Sequence, residues 1–132
     1  MLTFEFGGRR YEGWTEVDAR FAGVPADVIE SAKLDVRRRS VSAECRRRIY
    51  AAASAEAQMN MATAAAITSA KAEADRTDQD STVLNGVHLA LKWVSDMRAA
   101  FEALAADPDA DFMNDAAWPV LPPEVPALID RF

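Results

Sequence analysis

Residues 1–24 alternate between apolar and polar side chains with the two-residue period of a β-strand. Gly7 and Gly8 interrupt the alternation, and two adjacent glycines accept the positive φ angles of a tight hairpin turn. Gly13 indicates a second bend or a bulge. A lone hairpin of two strands is marginally stable in water. We therefore predict a β-hairpin that rests either on the helices of this chain or on the sheet edge of another protein.

Residues 25 to about 74 have the pattern of one long helix. Pro25 suits the first helical turn, and Asp27 and Glu30 complement the positive end of the helix dipole. Neither proline nor glycine occurs between positions 26 and 74. At 100° per residue, a single stripe of small and apolar residues runs along this helix with nearly the spacing of a coiled coil. The residues predicted to form this oligomer seam are Leu34, Val41, Cys45, Ile49, Ala52 and Met59.

Alanine is abundant over residues 51–72. It is the best helix former, and its small side chain lets a second helix approach closely. Such a helix is stabilised mainly by packing against neighbours and not by its own propensity. We therefore expect a helical hairpin that forms oligomers.

A second helix is predicted over residues 81–106, capped by Asp80 or Ser81. Its apolar arc is too wide for one partner helix, so we expect it to contact two surfaces, the first helix and a neighbouring subunit. The residues of this arc are Val83, Val87, Leu89, Ala90, Trp93, Val94, Met97, Ala100, Phe101 and Leu104.

The tail, residues 112–132, has three prolines between positions 119 and 123, which exclude a regular helix there. Pro123 can open one short helical turn. The apolar residues available to anchor the tail are Trp118, Leu121, Val125, Leu128 and Phe132. The predicted fold is therefore mainly α: a long helical hairpin with a short N-terminal β-hairpin and a proline-rich C-terminal anchor. The expected domains are 1–24 and 25–132.

Composition limits the class of protein. A chain of 132 residues is the size of one domain, and half of its residues are hydrophobic, which argues against disorder. The net charge of −6 makes a nucleic-acid partner unlikely. The single Cys45 cannot form an internal disulfide. Neither a membrane-spanning run nor a signal sequence is evident, so we expect a soluble protein made in the cytoplasm.

Candidate chemistry is sparse. His88 falls on the polar face of the second helix with no partner at metal-ligand spacing, and we interpret it as a surface residue. Cys45 falls on the apolar seam, where a thiol acts as a small hydrophobic group. The acidic clusters "EADRTDQD" and "DPDADF" lack the glycine and glutamate of a calcium loop, so we interpret both as turns. We expect no enzyme activity, no cofactor and no metal.

Two arginine triplets, residues 37–39 and 46–48, allow two interpretations. Consecutive helical residues spread around the helix, and the pairs Asp35–Arg39 and Glu44–Arg48 have the spacing of ion pairs. A solvated, salt-bridged segment beside the seam is the first interpretation. The alternative is a basic collar for an acidic partner or a nucleic acid.

The runs "ECRRRIYAAASAEAQMNMATAAA", "LKWVSDMRAAFEAL" and "WPVLPPEVPALIDRF" resemble a group of small bacteriophage and prophage proteins encoded near tail genes. The shared elements are R-R-I, then Gln58 and Asn60 in a Q-x-N element, W-V-x-x-M-R and W-P. This resemblance covers residues 43 to 132. A similar helical layout occurs in C-terminal regions of tail-fibre proteins and in tail-fibre assembly proteins. The short run "GGRRYEGWTEV" is similar to a strand motif of tail-hub proteins.

The resemblance implies a structural virion protein, a short tail fibre or tail-tip accessory subunit that oligomerises through its long helix, most simply as a trimer. Other phage tail proteins would then be its partners, through strand addition by the hairpin. The expected docking residues are Phe4, Phe6, Tyr11 and Trp14. The alternatives are a tail-fibre assembly chaperone and a head-decorating virion protein. The resemblance supplies no catalytic residue and no role for the Q-x-N element.

Overall fold

The computed structural model describes residues 1–132 and is mainly helical, with a two-stranded hairpin at the N-terminus, as predicted. In chain order the strands and helices are β1 (Leu2–Phe6), β2 (Arg9–Trp14), α1 (Glu16–Phe21), α2 (Ala26–Ala52), α3 (Ala55–Ala70), α4 (Asp78–Ala106) and α5 (Glu124–Ile129). Two short 3₁₀ turns, Glu73–Asp75 and Asp115–Ala117, lie on either side of α4. None of the helices combines the length and hydrophobicity needed to cross a bilayer.

The antiparallel hairpin turns at Gly7 and Gly8, whose φ angles are +58° and +75°. The register shifts near its open end, where Gly13 adopts a φ of +73°, so the predicted irregularity is a bulge. The hairpin packs on its own chain: Leu2 and Phe4 are buried in one cluster with side chains of α1 and α2. The other members of this cluster are Ala19, Val24, Ile29 and Ala32. This core therefore includes residues on both sides of the boundary expected at residue 24.

The prediction of one continuous helix from 25 to 74 is wrong. α2 ends at Ala52 and α3 begins at Ala55. Between them Ala53 is extended, with φ −146° and ψ 112°, and Ser54 caps α3 by accepting a hydrogen bond from the Ala57 amide at 3.1 Å. Alanine favours a helix on both sides of this break. The break is therefore decided by tertiary contacts and by the serine cap.

The second long helix begins earlier than predicted, because the capping residue is Thr77 and neither Asp80 nor Ser81. Thr77 and Asp80 form a reciprocal capping box, in which each side chain accepts a hydrogen bond from the backbone amide of the other. The helix ends at Ala106, as expected. Its wide apolar arc packs against α2, α3 and α5 of the same chain.

The proline-rich tail lies along α4. Trp118, Val125 and Leu128 are buried, whereas Phe132, also expected to anchor the tail, is 51% exposed. Leu128 packs directly over Gly86 in the first third of α4: a Cβ atom at Gly86 would lie 3.0 Å from Leu128 Cδ2. The absence of a side chain at position 86 is therefore what allows α5 to approach so closely.

Candidate functional site

The six predicted seam residues do not form one continuous surface. Val41 and Cys45 are buried against α4, in a cluster with Trp93 and Met97. Ile49 and Ala52 are half-buried against the same cluster. Leu34 and Met59, by contrast, are 47% and 70% exposed. The middle of the stripe therefore packs within the chain, and its role in an oligomer stays a prediction.

The four predicted docking residues are mostly covered by the chain's own packing. Phe4 is buried and stacks on Tyr11 at a centroid distance of 5.3 Å, while Trp14 meets both rings edge-on. Phe6 is the exposed member of the four, at 40%. An aromatic cluster of this kind fixes the hairpin on α2. Docking on another protein stays a prediction.

The arginine triplets mainly hold the C-terminal part of the chain. Arg37 donates to the backbone carbonyls of Leu104, Pro108 and Ala110 at 3.0, 3.2 and 2.8 Å, and lies 5.3 Å from the centre of the Phe112 ring. These bonds satisfy carbonyls at and beyond the C-terminus of α4, where helical partners run out. Sequence reasoning missed this role because the partners lie far away along the chain.

Arg48 holds the next part of the tail. Its guanidinium donates to the Asp115 carboxylate at 2.8 Å and to the Met113 carbonyl at 3.0 Å, and lies over the Trp118 ring. On its own helix it also donates to Glu44 at 2.8 Å, so the predicted Glu44–Arg48 ion pair is present. Together Arg37 and Arg48 tie α2 to residues 104–118.

Glu44 is buried but charged. Hydrogen bonds from the Arg47 guanidinium, with a further contribution from Arg48, lower the pKa of this carboxyl. The second predicted pair is absent: Arg39 donates to the backbone carbonyl of Asp35 at 3.3 Å and not to its carboxylate. The arginine segment thus combines structural hydrogen bonds with a few exposed cations.

The break between α2 and α3 opens an apolar groove. This groove has a volume of about 390 Å³ and lies between the end of α2, one face of α3 and the middle of α4. Twelve of its thirteen lining residues are hydrophobic; the exception is Gln58. The apolar lining residues include Ile49 on α2, Ala62 and Ala65 on α3, and Val87, Leu91 and Val94 on α4. A cavity of a few hundred Å³ with a few polar groups is typical of binding sites.

Gln58 has a clear structural role at the groove. Its side-chain amide donates to the carbonyl of Ala53 at 2.9 Å, which satisfies a backbone group that the helix break removes from the helical ladder. This hydrogen bond gives a structural role to Gln58, the first residue of the Q-x-N element. The sequence did contain a signal for this break: Ser54 is a residue type that commonly caps the start of a helix.

Two cations lie beside the groove, Arg46 on α2 and Arg98 on α4. A more polar pocket adjoins it, shares Ile49, Gln58 and Val94 with it, and is lined by Arg46 and Arg98. Neither arginine forms an ion pair, and Arg46 lies 4.8 Å from the Tyr50 ring centre. We call these two residues the arginine rim. Glu102 also lines this pocket and forms an ion pair with Arg38 at 2.9 Å, so side chains of both charges surround it.

Other candidate residues lie apart from the groove or are covered. His88 is exposed on α4, where the sequence placed it. Cys45 is buried, and burial raises the pKa of its thiol. No group of three or more His, Cys, Asp or Glu side chains is arranged to hold a metal ion. No protein-family model matches the chain, and no curated protein matches it significantly.

Proposed function

We propose that this chain is a structural protein of a bacteriophage tail, a short fibre or tail-tip accessory subunit, that binds other protein segments through its apolar groove. The apolar groove itself is the observation that carries the proposal. Leu91 on its edge is 66% exposed, and Ala62 beside it is also exposed. An apolar cavity that opens to solvent among exposed apolar side chains is characteristic of an interaction site.

The assignment to a phage tail is supported by the resemblance of residues 43 to 132 to small tail-associated proteins. The residues behind that resemblance have structural roles in this fold. Gln58 braces the helix break beside the groove, and Arg48 and Trp118 hold the tail together. Of the elements on which the likeness depends, Gln58, Trp93 and Val94 line the groove, whereas Arg48 and Trp118 lie outside it.

A second candidate function is a tail-fibre assembly chaperone that leaves before the virion matures. Packing of Val41 and Cys45 inside the chain favours it, because the long-helix core is then complete without a second copy. A protein of this kind would use the same groove to hold an immature fibre.

Mass spectrometry of particles made by the encoding phage genome tests the proposal. A structural subunit is present at a fixed ratio to the major tail protein, whereas a chaperone occurs in the lysate bound to fibre protein and is absent from particles. Leu91→Glu places a charge in the groove and should remove the chain from particles. His88→Glu, on an exposed position of the same helix, is the matched control. Free chain in the lysate, bound to no particle protein, would contradict both functions.

A further inference from the structure

The connection between α2 and α3 consists of only two residues, Ala53 and Ser54. Neither proline nor glycine occurs between positions 26 and 74, and the residues around the connection are mostly alanine, the best helix former. Local sequence therefore favours one continuous helix through the point where the chain bends. A conflict of this kind between local preference and tertiary structure leaves a second arrangement close in free energy.

Few interactions hold the bend itself. Ser54 accepts a hydrogen bond from the Ala57 amide at 3.1 Å, and the Gln58 side chain donates to the Ala53 carbonyl at 2.9 Å. In a continuous helix the Ala57 amide would donate directly to the Ala53 carbonyl, four residues earlier, so neither group would lose a partner. α2 and α3 barely touch each other, because both pack on α4. Contacts with α4 are therefore what maintains the bend.

The bend divides the chain into two parts, residues 1–52 and residues 55–132. Each part keeps a core cluster of its own, one beneath the hairpin and one between α3, α4 and α5. The third cluster joins the parts across α2 and α4, and Arg37 and Arg48 form hydrogen bonds across the same boundary. All of these contacts can form equally well between the first part of one copy and the second part of another, because the residues are identical.

We propose that the chain forms a dimer by exchanging these parts. α2 and α3 join into one helix over residues 26–70, about 67 Å long at 1.5 Å per residue, and residues 1–52 of each copy pack on α4 of the other. Exchange of identical elements is a low-cost route to a dimer, because the exchanged contacts are those of the monomer. This inference goes beyond the proposed function and does not depend on what the groove binds.

A proline at the start of α3 separates the two arrangements. The first position of a helix accepts proline, and the extended Ser54, with φ −60° and ψ 163°, suits the residue before one. Inside a continuous helix the same proline would remove a hydrogen bond and clash with the carbonyl of Ala51. Ala55→Pro therefore preserves the bent monomer and blocks the exchange. Ala55→Ser, at the same exposed position, is the matched control.

Ser54→Ala combined with Gln58→Ala should have the opposite effect. It removes the two side chains that hold the bend, and alanine at both positions favours the continuous helix. The association constant of the dimer should therefore rise about tenfold or more. An association constant at or below that of the wild-type chain would contradict the proposal.

Refolding at different protein concentrations measures the exchange, because α2 must leave α4 before the parts can be exchanged. Each chain is unfolded in urea, refolded at micromolar and at near-millimolar concentration, and analysed by size-exclusion chromatography with light scattering. The wild-type chain and Ala55→Ser should give a dimer after concentrated refolding. Ala55→Pro should lower the association constant at least a hundredfold while keeping the helical circular dichroism of the monomer. A wild-type chain that stays monomeric, or an Ala55→Pro chain that dimerises equally, would overturn the proposal.

Cross-linking distinguishes exchange from an ordinary surface contact. Arg38 on α2 and Glu102 on α4 form an ion pair at 2.9 Å and are both exposed, so cysteines at these positions lie within reach of a short bismaleimide. In a Cys45→Ala background, the monomer fraction of Arg38→Cys with Glu102→Cys should form the link within one chain. The dimer fraction should form it between chains and run as a covalent dimer on a denaturing gel. Links only within single chains of the dimer would overturn the proposal. Particle composition, measured separately, tests the proposed function whichever result is obtained.

Discussion

The guanidinium group of Arg37 donates from Nε to the backbone carbonyl of Leu104 at 3.0 Å, across 67 positions of sequence. This bond places an α2 side chain at the C-terminal end of α4, where a cation also interacts favourably with the helix dipole. Two further bonds from the same group hold the loop that follows. In the sequence, Arg37 looks like part of a charged surface segment. In the structure, its three hydrogen bonds determine where the C-terminal quarter of the chain lies.

Arg37→Ala should lower the free energy of unfolding by about 2 kcal/mol, because several carbonyls lose a charged donor at a half-buried site. Urea unfolding followed by tryptophan fluorescence measures the change. Arg39→Ala is the control, since Arg39 is exposed and bonds only within its own helix, and it should change stability by less than about 0.5 kcal/mol. Equal losses in both variants would contradict the assigned role.

Gln58→Ala should destabilise the protein by about 1 kcal/mol, because the carbonyl of Ala53 loses its hydrogen-bond donor at the helix break. Amide hydrogen exchange around residues 53–58, the break and the first turn of α3, should be faster in the variant than in the wild-type protein. Asn60→Ala is the matched control on the same helix, because the Asn60 side chain makes no hydrogen bond. Unchanged exchange at the break would show that packing alone maintains it.

Gly86→Leu should displace α5 from α4 and cost about 1 to 3 kcal/mol, because even a Cβ atom there would lie 3.0 Å from Leu128 Cδ2. The cost should be smaller in a Leu128→Ala background, where the opposing side chain is shortened. A double-mutant cycle on unfolding free energies measures this coupling. Additive effects of the two substitutions would mean that residues 86 and 128 do not compete for the same space.

Acid should destabilise the protein partly through Glu44, whose pKa is lowered by hydrogen bonds from Arg47 and, secondarily, Arg48. An unfolded glutamate has a pKa of about 4.3. Because the folded pKa is lower, the stabilisation is complete above the unfolded pKa and is lost as pH falls through the folded pKa. The difference in unfolding free energy between wild type and Glu44→Gln should therefore be largest at neutral pH and shrink in acid.

Glu73→Gln serves as the control for net charge in that experiment, because Glu73 is exposed and forms no ion pair. Its difference from wild type should stay small from neutral to acid pH. A Glu44→Gln difference that stays constant down to acid pH would show that the buried carboxylate does not depend on its arginine partners.

Elements specified by local sequence were predicted well. The hairpin follows from the Gly7 and Gly8 turn, and the end of α4 follows from the polar run after Ala106. The break at Ala53 was missed, because alanine-rich sequence favours a helix on both sides of it, and the roles of Ser54 as a helix cap and Gln58 as a backbone donor were not recognised. Val41 and Cys45 of the predicted seam pack on α4, whereas Leu34 and Met59 are exposed, because a periodic stripe carries no information about which surface covers each of its residues.

The sequence by itself determined the mainly helical class, the N-terminal hairpin, and the apolar positions from which the core is made. These depend on turn residues and on hydrophobic period, which act over a few positions. Tertiary structure decided the break in the first helix, the roles of Arg37 and Arg48, and the apolar groove with its arginine rim. The arginine contacts and the groove depend on atoms brought together from distant parts of the chain, and such contacts leave no periodic signal in a single sequence. The break has local bonds from Ser54 and Gln58, but these lie in a stretch whose alanines favour a helix.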